Sequence, residues 1–306
     1  MKRLYKKQGK QSSEMIVDKI TTNTADTFSV TEKNYETGEE TIREFDNLNS
    51  TYLSELQPFE IPQSNLISPC NIIGADDRTQ IEDTTIYPYS AIVYLEVKWG
   101  NEKYCATAFM ISKNVAITSA HAVYNKELGG FADSIKAYPA KNGYGFWNNP
   151  YGSSKVIATG VCTQWAEYIN NSEDQNAKYP EEDWGAVVLK EPLGDETGTI
   201  SIKCPTGSEL LNIRNDECVK ICGYQEMDTI LPKFYQFEAV GNISTYSSDM
   251  IYYELDTVGG QSGSPLLNDE NVAIGVHFGY YNGYNCAVRM DENMMYYFNL
   301  AIEDYK

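Results

Sequence analysis

Histidine is scarce in this chain, because only two of its 306 residues, His121 and His277, are of this type. A zinc site of the HExxH kind, or one built from several histidines, is therefore excluded. No CxxC pair occurs among the seven cysteines, so a zinc cluster is not expected either. We accordingly expect no metal site and no required cofactor. Any chemistry that depends on an imidazole must use one of these two residues.

Basic residues and long apolar runs are also in short supply. Lys and Arg number 24 against 43 Asp and Glu, for a formal net charge of −19, which argues against nucleic acid or an anionic membrane as a partner. No apolar run approaches the roughly 18 residues of a membrane-spanning helix. The basic start at residues 1–7 is not followed by the apolar stretch of an export signal, so we expect these residues not to form a complete signal peptide.

The amino-acid composition of the chain changes near residue 70. Residues 1–70 are rich in Thr, Asn, Ser and charges, which fits either a weakly ordered extension or a removable prosegment. From about residue 71 onward, short β-branched and apolar stretches alternate with Gly, Pro and Asn turns. Near the end, Asp291 can cap a helix with an apolar face. This pattern predicts an all-β double barrel that ends in one helix.

A serine lies between glycines in residues 259–265 (GGQSGSP). Such a serine occupies a tight turn, where its hydroxyl can be exposed and backbone N–H groups can approach a substrate carbonyl. If Ser262 is a nucleophile, the N–H groups of Gly260 and Ser262 are the natural donors to an oxyanion. A Gly/Ser turn without a catalytic role is the alternative.

Two further segments supply the groups that such a serine needs. His121 follows a pattern of two apolar strands and could act as its general base. Asp183 immediately precedes a strand-like stretch and could hold the imidazole in place, although Asp174, Glu181 and Glu182 compete with it. The order His, Asp, Ser along the chain is that of chymotrypsin.

The sequence resembles the bacterial glutamyl endopeptidases of the staphylococcal and Bacillus type, within the chymotrypsin-like serine proteases. The resemblance rests on residues 72–79 (IIGADDRT), 87–93 (YPYSAIV), the histidine segment, 183–186 (DWGA) and 256–265 (DTVGGQSGSP). It implies that residues 1–70 are a prosegment and that residues 71–306 form the protease domain. This domain would consist of two six-stranded antiparallel β-barrels, with the boundary between them near residues 190–210, and a C-terminal helix. The implied activity is that of a serine endopeptidase with the triad His121, Asp183 and Ser262.

The resemblance also implies a substrate preference. The family recognises a substrate glutamate with a histidine and a threonine, which correspond here to His277 and Thr257. An imidazole and a hydroxyl can hydrogen-bond a carboxylate without a lysine or an arginine. We therefore expect hydrolysis on the C-terminal side of Glu and, less well, of Asp.

Two positions depart from related sequences. Relatives commonly have a cysteine directly after the catalytic histidine, but Ala122 stands here, so Cys105 cannot form that bridge. Trypsin-like zymogens carry an acid next to the serine, whereas this chain has Gln261. By resemblance, a freed N-terminus instead helps to receive the substrate carboxylate, which makes Asn71 or Ile72 the new N-terminus and the full chain a poorly active precursor.

As partners we expect protein or peptide substrates with acidic residues, together with an activating protease. We also expect a monomer that is secreted or held at the cell surface, despite the incomplete signal. Two alternatives stay open at this point. One is a chymotrypsin-like protease of different specificity, and the other is a toxin-like or binding module on the same fold.

Overall fold

A computed structural model of the protein describes residues 27–48, 67–68, 71–171, 180–226, 234–281 and 283–306. In these ranges the chain is mostly β-structure. The strands are β1 (Thr27–Asn34), β2 (Glu40–Asp46), β3 (Ile67–Ser68), β4 (Thr79–Gln80), β5 (Ile92–Trp99), β6 (Glu102–Met110), β7 (Val115–Thr118), β8 (Tyr124–Asn125), β9 (Gly130–Phe131), β10 (Ser134–Pro139), β11 (Ser154–Cys162), β12 (Gly185–Leu189), β13 (Val219–Tyr224), β14 (Gln236–Gly241), β15 (Ile243–Tyr246), β16 (Met250–Tyr253), β17 (Pro265–Leu267), β18 (Ala273–Tyr281) and β19 (Tyr284–Arg289). The helices are α1 (Thr163–Asn171), α2 (Gly194–Thr197), α3 (Gly207–Asp216) and α4 (Glu292–Asp304).

The first sheet contains a closed six-stranded barrel. Its strands follow the order β10-β5-β6-β7-β12-β11, and the pairing of β10 with β11 closes it. The five residues of β12 are all buried, because this strand lies between β7 and β11 and faces packed side chains on both surfaces. A strand in that position is expected to be a continuous apolar run, as the sequence Gly-Ala-Val-Val-Leu is.

The second sheet is curled but stays open. Its order is β15-β16-β19-β18-β17-β13-β14-β4, and β3 pairs with β18 beside this path. Short strands β8 and β9 form a separate ribbon. The all-β prediction is confirmed, with one closed barrel and one curled half-barrel in place of two complete barrels.

The C-terminal helix is also confirmed. The side chain of Asp291 accepts a hydrogen bond from the Met294 N–H at 2.8 Å, which caps the start of α4. The helix packs against the first barrel, where Phe298 is fully buried beside Trp184 with ring centroids 5.7 Å apart. The C-terminal helix therefore packs on the first barrel, although the strands that precede it belong to the second sheet.

Part of the N-terminal region is folded onto the first barrel. Strands β1 and β2 form a hairpin, and β1 pairs with β11 from Val30 opposite Cys162 to Asn34 opposite Ala158. Val30 is fully buried. The hairpin thus extends the barrel sheet by two strands, which the composition of residues 1–70 did not predict.

Among the described residues, no helix has both the length and the apolar character needed to cross a membrane.

Candidate active site

His121 and Asp183 lie in direct contact at the edge of the first barrel. His121 belongs to a short 3-10 turn at Ala120–Ala122, directly after β7, and Asp183 precedes the neighbouring strand β12. The His121 Nδ1 atom lies 2.5 Å from Asp183 Oδ2, and the His121 backbone N–H donates to Asp183 Oδ1 at 2.8 Å. Because a carboxylate accepts at Nδ1, that nitrogen carries the proton and Nε2 has the free lone pair.

The exposure of the two side chains differs in a way that suits a general base. The Asp183 side chain is fully buried, whereas 35% of the His121 side chain is exposed. The buried carboxylate is thus held by two hydrogen bonds while the imidazole can reach a substrate. This is the arrangement in which an acid fixes the tautomer and orientation of a histidine.

The acids that competed with Asp183 in the sequence take other positions. Glu182 accepts a hydrogen bond from the Cys162 thiol at 3.0 Å, and burial raises the pKa of Glu182 to about 7. Burial likewise raises the pKa of Glu181 to about 7. Asp174 lies outside the described residues. Of the three described candidates, it is Asp183 that holds His121.

Ser262 lies on a turn that the glycines around it make possible. Gly260 and Gly263 have φ of +94° and +87°, values that side-chain-bearing residues rarely adopt. A Cβ at Gly263 would lie 3.0 Å from the Ser119 amide nitrogen and would clash with the Thr107 carbonyl oxygen. The turn therefore packs directly against the segment that leads into His121.

One residue of the second sheet touches both Ser262 and His121. The Ser262 hydroxyl donates to the Phe278 carbonyl at 3.4 Å. The Phe278 ring meets the His121 ring edge-on, with centroids 6.1 Å apart and an interplanar angle of 89°. The predicted nucleophile and the predicted base thus meet at Phe278, in the seam between the two sheets.

The direction of the Gly260 amide is set by its own peptide group. The Gly259 carbonyl accepts a hydrogen bond from the Glu226 N–H at 2.5 Å. In a trans peptide the N–H points away from the C=O, so the Gly260 N–H points away from Glu226. Within the described part of the chain, neither Gly260 nor Ser262 has an acceptor for its N–H. Two open donors two residues apart are what an oxyanion needs.

The two predicted specificity residues are completely buried. In the ranges that the structure covers, the Thr257 hydroxyl has no hydrogen-bond partner. His277 Nδ1 lies 2.7 Å from the Tyr253 hydroxyl and 3.0 Å from the Cys286 carbonyl oxygen. Burial lowers the pKa of His277 to about 3, so this imidazole is neutral at physiological pH.

Asn71 lies beside these specificity residues. Its carbonyl accepts hydrogen bonds from the Thr257 N–H at 3.2 Å and from Asn285 Nδ2 at 2.7 Å, and its N–H donates to Asn285 Oδ1 at 3.1 Å. Asn285 directly precedes Cys286, whose carbonyl contacts His277. Asn71 is therefore bonded both to Thr257 and to Asn285, and the residue after Asn285 contacts His277.

Among the side chains around the predicted site that sequence reasoning missed are Tyr253 and Arg78. Tyr253 reaches His277, and Arg78 reaches Gln261, beside the predicted nucleophile. Arg78 falls inside the motif at residues 72–79, which was a signal that could have drawn attention to it. Tyr253 belongs to an apolar strand-like run, and nothing in that run singles it out.

No three His, Cys, Asp or Glu side chains of the described residues are grouped in a way that could hold a metal ion.

Known proteins resemble this chain over much of its length. The family model described as Trypsin matches residues 73–297. The glutamyl endopeptidase of Bacillus licheniformis is 31% identical over 201 residues, which are 66% of this chain and 56% of that protein. The glutamyl endopeptidase of Staphylococcus aureus strain MW2 is 28% identical over 253 residues, 81% of this chain and 68% of that protein. The chain thus spans little more than half the length of the Bacillus licheniformis relative.

A solved structure supports the same assignment. It is described as Glu endopeptidase in complex with MPD, and it superposes with a TM-score of 0.63 at 26% sequence identity. The match covers 76% of this chain and 99% of that one. Since the family match extends over most of the chain and the fold is shared, the chain belongs to the trypsin family and carries a chymotrypsin-fold serine protease domain.

Proposed function

We propose that this chain is a serine endopeptidase that cuts on the C-terminal side of Glu, and less well of Asp, through His121, Asp183 and Ser262. The observation that carries the proposal is the 2.5 Å contact of His121 Nδ1 with the buried Asp183, beside the turn of Ser262. In this mechanism the Ser262 hydroxyl attacks the scissile carbonyl while His121 Nε2 takes its proton. His121 then gives that proton to the leaving amine, and water releases the acyl group by the same route.

The open N–H groups of Gly260 and Ser262 fit the other half of this chemistry. The tetrahedral intermediate places a negative charge on the former carbonyl oxygen. Donors that already point at that position stabilise the charge without having to reorganise. Asp183 stays a carboxylate and stabilises the His121 imidazolium that forms during attack.

The preference for Glu is supported by the state of Thr257 and His277. A buried hydroxyl without a partner costs free energy unless a ligand supplies one, and a substrate carboxylate would accept from Thr257. His277 is neutral, so it offers one N–H to that carboxylate. A carboxylate bound at Nε2 requires the proton on Nε2, so on substrate binding the Tyr253 hydroxyl would donate to Nδ1 in place of the Nδ1–H donation that the Cys286 carbonyl accepts in the free site.

We also propose that the 306-residue form is a precursor that is cut before Asn71 or Ile72. Strand β18 has two edges. Strand β19 pairs with one edge of β18 as far as Tyr281, so β17 and β3 both pair with the other edge of β18. On that edge β3 pairs Ser68 with Tyr280 and Ile67 with Tyr281, just past Phe278, whose carbonyl holds the Ser262 hydroxyl. An extended substrate that presents its carbonyl to Ser262 has to add to this same edge. Residues 67–68 therefore compete with substrate until the chain is cut.

A peptide panel tests the proposal. A recognition sequence for a site-specific protease is inserted into the full chain between Cys70 and Asn71. The protease is one that cuts after the last residue of its recognition sequence, so the cut leaves Asn71 as the new N-terminus. The activity of the chain is then measured before and after the cut on peptides that differ only before the scissile bond. We expect cleavage after Glu, weaker cleavage after Asp, and a rise in activity on cutting. Ser262→Ala should lose nearly all turnover, on the order of 10⁴-fold or more.

Matched variants separate this function from its alternatives. His277→Ala and Thr257→Val should selectively lose Glu cleavage, whereas Thr257→Ser keeps the hydroxyl and most of the preference. Full activity of Ser262→Ala would refute the triad. Equal cleavage of all peptides would favour a protease of another specificity. Failure of the cut form to react with a serine-directed fluorophosphonate would favour a toxin-like or binding module. Secretion or cell-surface location, and a monomeric state, stay predictions.

A further inference from the structure

Arg78 lies behind the turn that carries Ser262, with only 6% of its side chain exposed. Its Nε and Nη2 atoms donate to the two carboxylate oxygens of Asp76 at 2.9 and 2.8 Å. Its Nη1 atom donates to Gln225 Oε1 at 3.2 Å and to Gln261 Oε1 at 3.4 Å. A nearly buried cation thus bonds to the residue next to the proposed nucleophile.

Gln261 closes the turn from which the oxyanion donors come. It is fully buried, and its Oε1 accepts a hydrogen bond from the Val258 N–H at 3.0 Å. The Gln261 N–H donates back to the Val258 carbonyl at 3.1 Å. Between them lie Gly259 and Gly260, whose carbonyls accept hydrogen bonds from the Glu226 N–H and the Thr107 hydroxyl. Neither glycine has a side chain of its own to fix the turn, so the Gln261 side chain supplies the bond across it.

The charge of Arg78 fixes which way the Gln261 amide points. With Oε1 toward Arg78 and Val258, that oxygen accepts from both N–H groups. Rotating the amide by half a turn would place its NH₂ group against two donors. Gln261 Nε2 has no hydrogen-bond partner among the described residues, so no bond to this nitrogen contributes to the observed orientation of the amide. The guanidinium and the Val258 N–H hold it from the oxygen side.

We propose that Arg78 is a positioning residue for the oxyanion hole. It holds the Gln261 amide in the orientation that closes the Val258–Gln261 turn, and the closed turn presents the Gly260 N–H to the developing oxyanion. Arg78 does not touch the substrate in this role. The inference rests on the proposed serine protease function and adds to it a residue that acts through Gln261.

Kinetics of the cut full chain test the proposal. Arg78→Met keeps the length of the side chain and removes its charge, Arg78→Lys restores a charge, and Arg43→Met is the control at an arginine of the N-terminal hairpin. Loss of one oxyanion donor typically lowers kcat by about 10²–10³-fold, and we expect Arg78→Met to approach this. A peptide boronate, which forms a tetrahedral adduct, should bind more weakly by a similar factor.

Other readouts separate positioning from a merely structural role. KM and the affinity for a product peptide whose C-terminal Glu is capped as the primary amide should stay nearly unchanged in Arg78→Met, because that peptide places neither a tetrahedral centre nor a negative oxygen at the oxyanion donors. Arg78→Lys should recover part of kcat, and Arg43→Met should match the unsubstituted protein. An unchanged kcat in Arg78→Met would overturn the proposal. So would a parallel loss of kcat, product affinity and thermal stability.

Amide hydrogen exchange decides the matter even without turnover. Arg78→Met should speed exchange in the segment that contains Val258 and Gln261, and leave the segment around His121 unchanged. If the unsubstituted protein showed no turnover dependent on Ser262, the proposed function would fail on its own. Unchanged exchange of the Val258–Gln261 segment would overturn the role of Arg78 whatever the activity.

Discussion

His277 is an imidazole that the second sheet keeps neutral. It is fully buried, and the loss of solvation lowers its pKa from about 6.5 to about 3. Between these values the unfolded chain binds a proton that the folded chain does not. Stability from this group is therefore complete above pH 6.5 and is lost progressively as the pH falls toward 3.

This difference predicts the pH dependence of stability. Unfolding in urea between about pH 4 and 7.5 should show that the unsubstituted chain loses more stability on acidification than His277→Gln does. The physical scale is about 1.4 kcal/mol for each unit by which the two pKa values differ. Only the slopes against pH are compared, so a constant cost of the substitution does not matter. Parallel slopes for the two proteins would contradict a neutral, buried His277.

At the scale of single residues, the sequence singled out the proposed catalytic groups better than the residues that hold them. His121, Asp183 and Ser262 stood out because each lies in a short motif. The residues alone left Asp183 in competition with Glu181 and Glu182, since neighbouring acids before a strand differ only in where their side chains point, and it was the family resemblance that singled out Asp183.

The supporting residues were missed for another reason. Tyr253 on β16 contacts His277 on β18, with β19 between the two strands in the sheet. Arg78 contacts Gln261, which is 183 positions away in the sequence. Local spacing carries no information about such pairs. Their roles follow only from the packing of distant segments.

At the scale of elements, α4 shows what periodicity can and cannot give. The apolar pattern correctly predicted the helix and its Asp291 cap. It placed Met294, Met295, Phe298, Leu300 and Ile302 on the apolar face, of which Met294 and Phe298 are buried and the other three are half-buried. It did not predict the burial of Tyr297 and Ala301. These residues lie on the flank that the β1–β2 hairpin approaches, and the Tyr297 hydroxyl donates to Glu32 at 3.0 Å.

The cap itself can be tested by substitution. Asp291→Ala should lower the free energy of unfolding by about 1 kcal/mol, because the Met294 N–H would lose its acceptor. Asp291→Asn is the matched control, since an asparagine side chain also caps helices well and should keep most of the stability. Denaturant unfolding measures both. Equal losses for the two variants would show that the cap is not what Asp291 contributes.

At the scale of the whole molecule, the chain crosses between its two halves more than once. The β1–β2 hairpin lies on the first barrel, Asn71 lies on the second sheet, and α4 returns to the first barrel. The two-barrel plan could be predicted because the three motifs occur in a known order. The hairpin could not, because β2 is almost wholly exposed or half-exposed and lacks the alternation that marks a strand.

A cut before Asn71 should therefore leave the hairpin in place. It is held by the β1–β11 ladder, by buried Phe28 and Val30, and by Arg43, which pairs with Asp304 of α4 at 2.7 Å. Size-exclusion chromatography of the cut protein should give one peak that contains both fragments, which separate only in denaturant. Phe28→Ala should promote loss of the small fragment. Clean separation of the fragments without denaturant would contradict this prediction.

After a cut before Asn71, the β1–β2 hairpin would still pack on the barrel but would belong to a separate polypeptide. This would change how the protein refolds. Before the cut, β1 and β11 are joined and refolding is unimolecular. Afterwards the two pieces must meet in solution, so recovery depends on their concentration. Heated and cooled at high dilution, the uncut protein should regain its structure while the cut protein does not. Processing would then give the enzyme a limited lifetime wherever it is dilute.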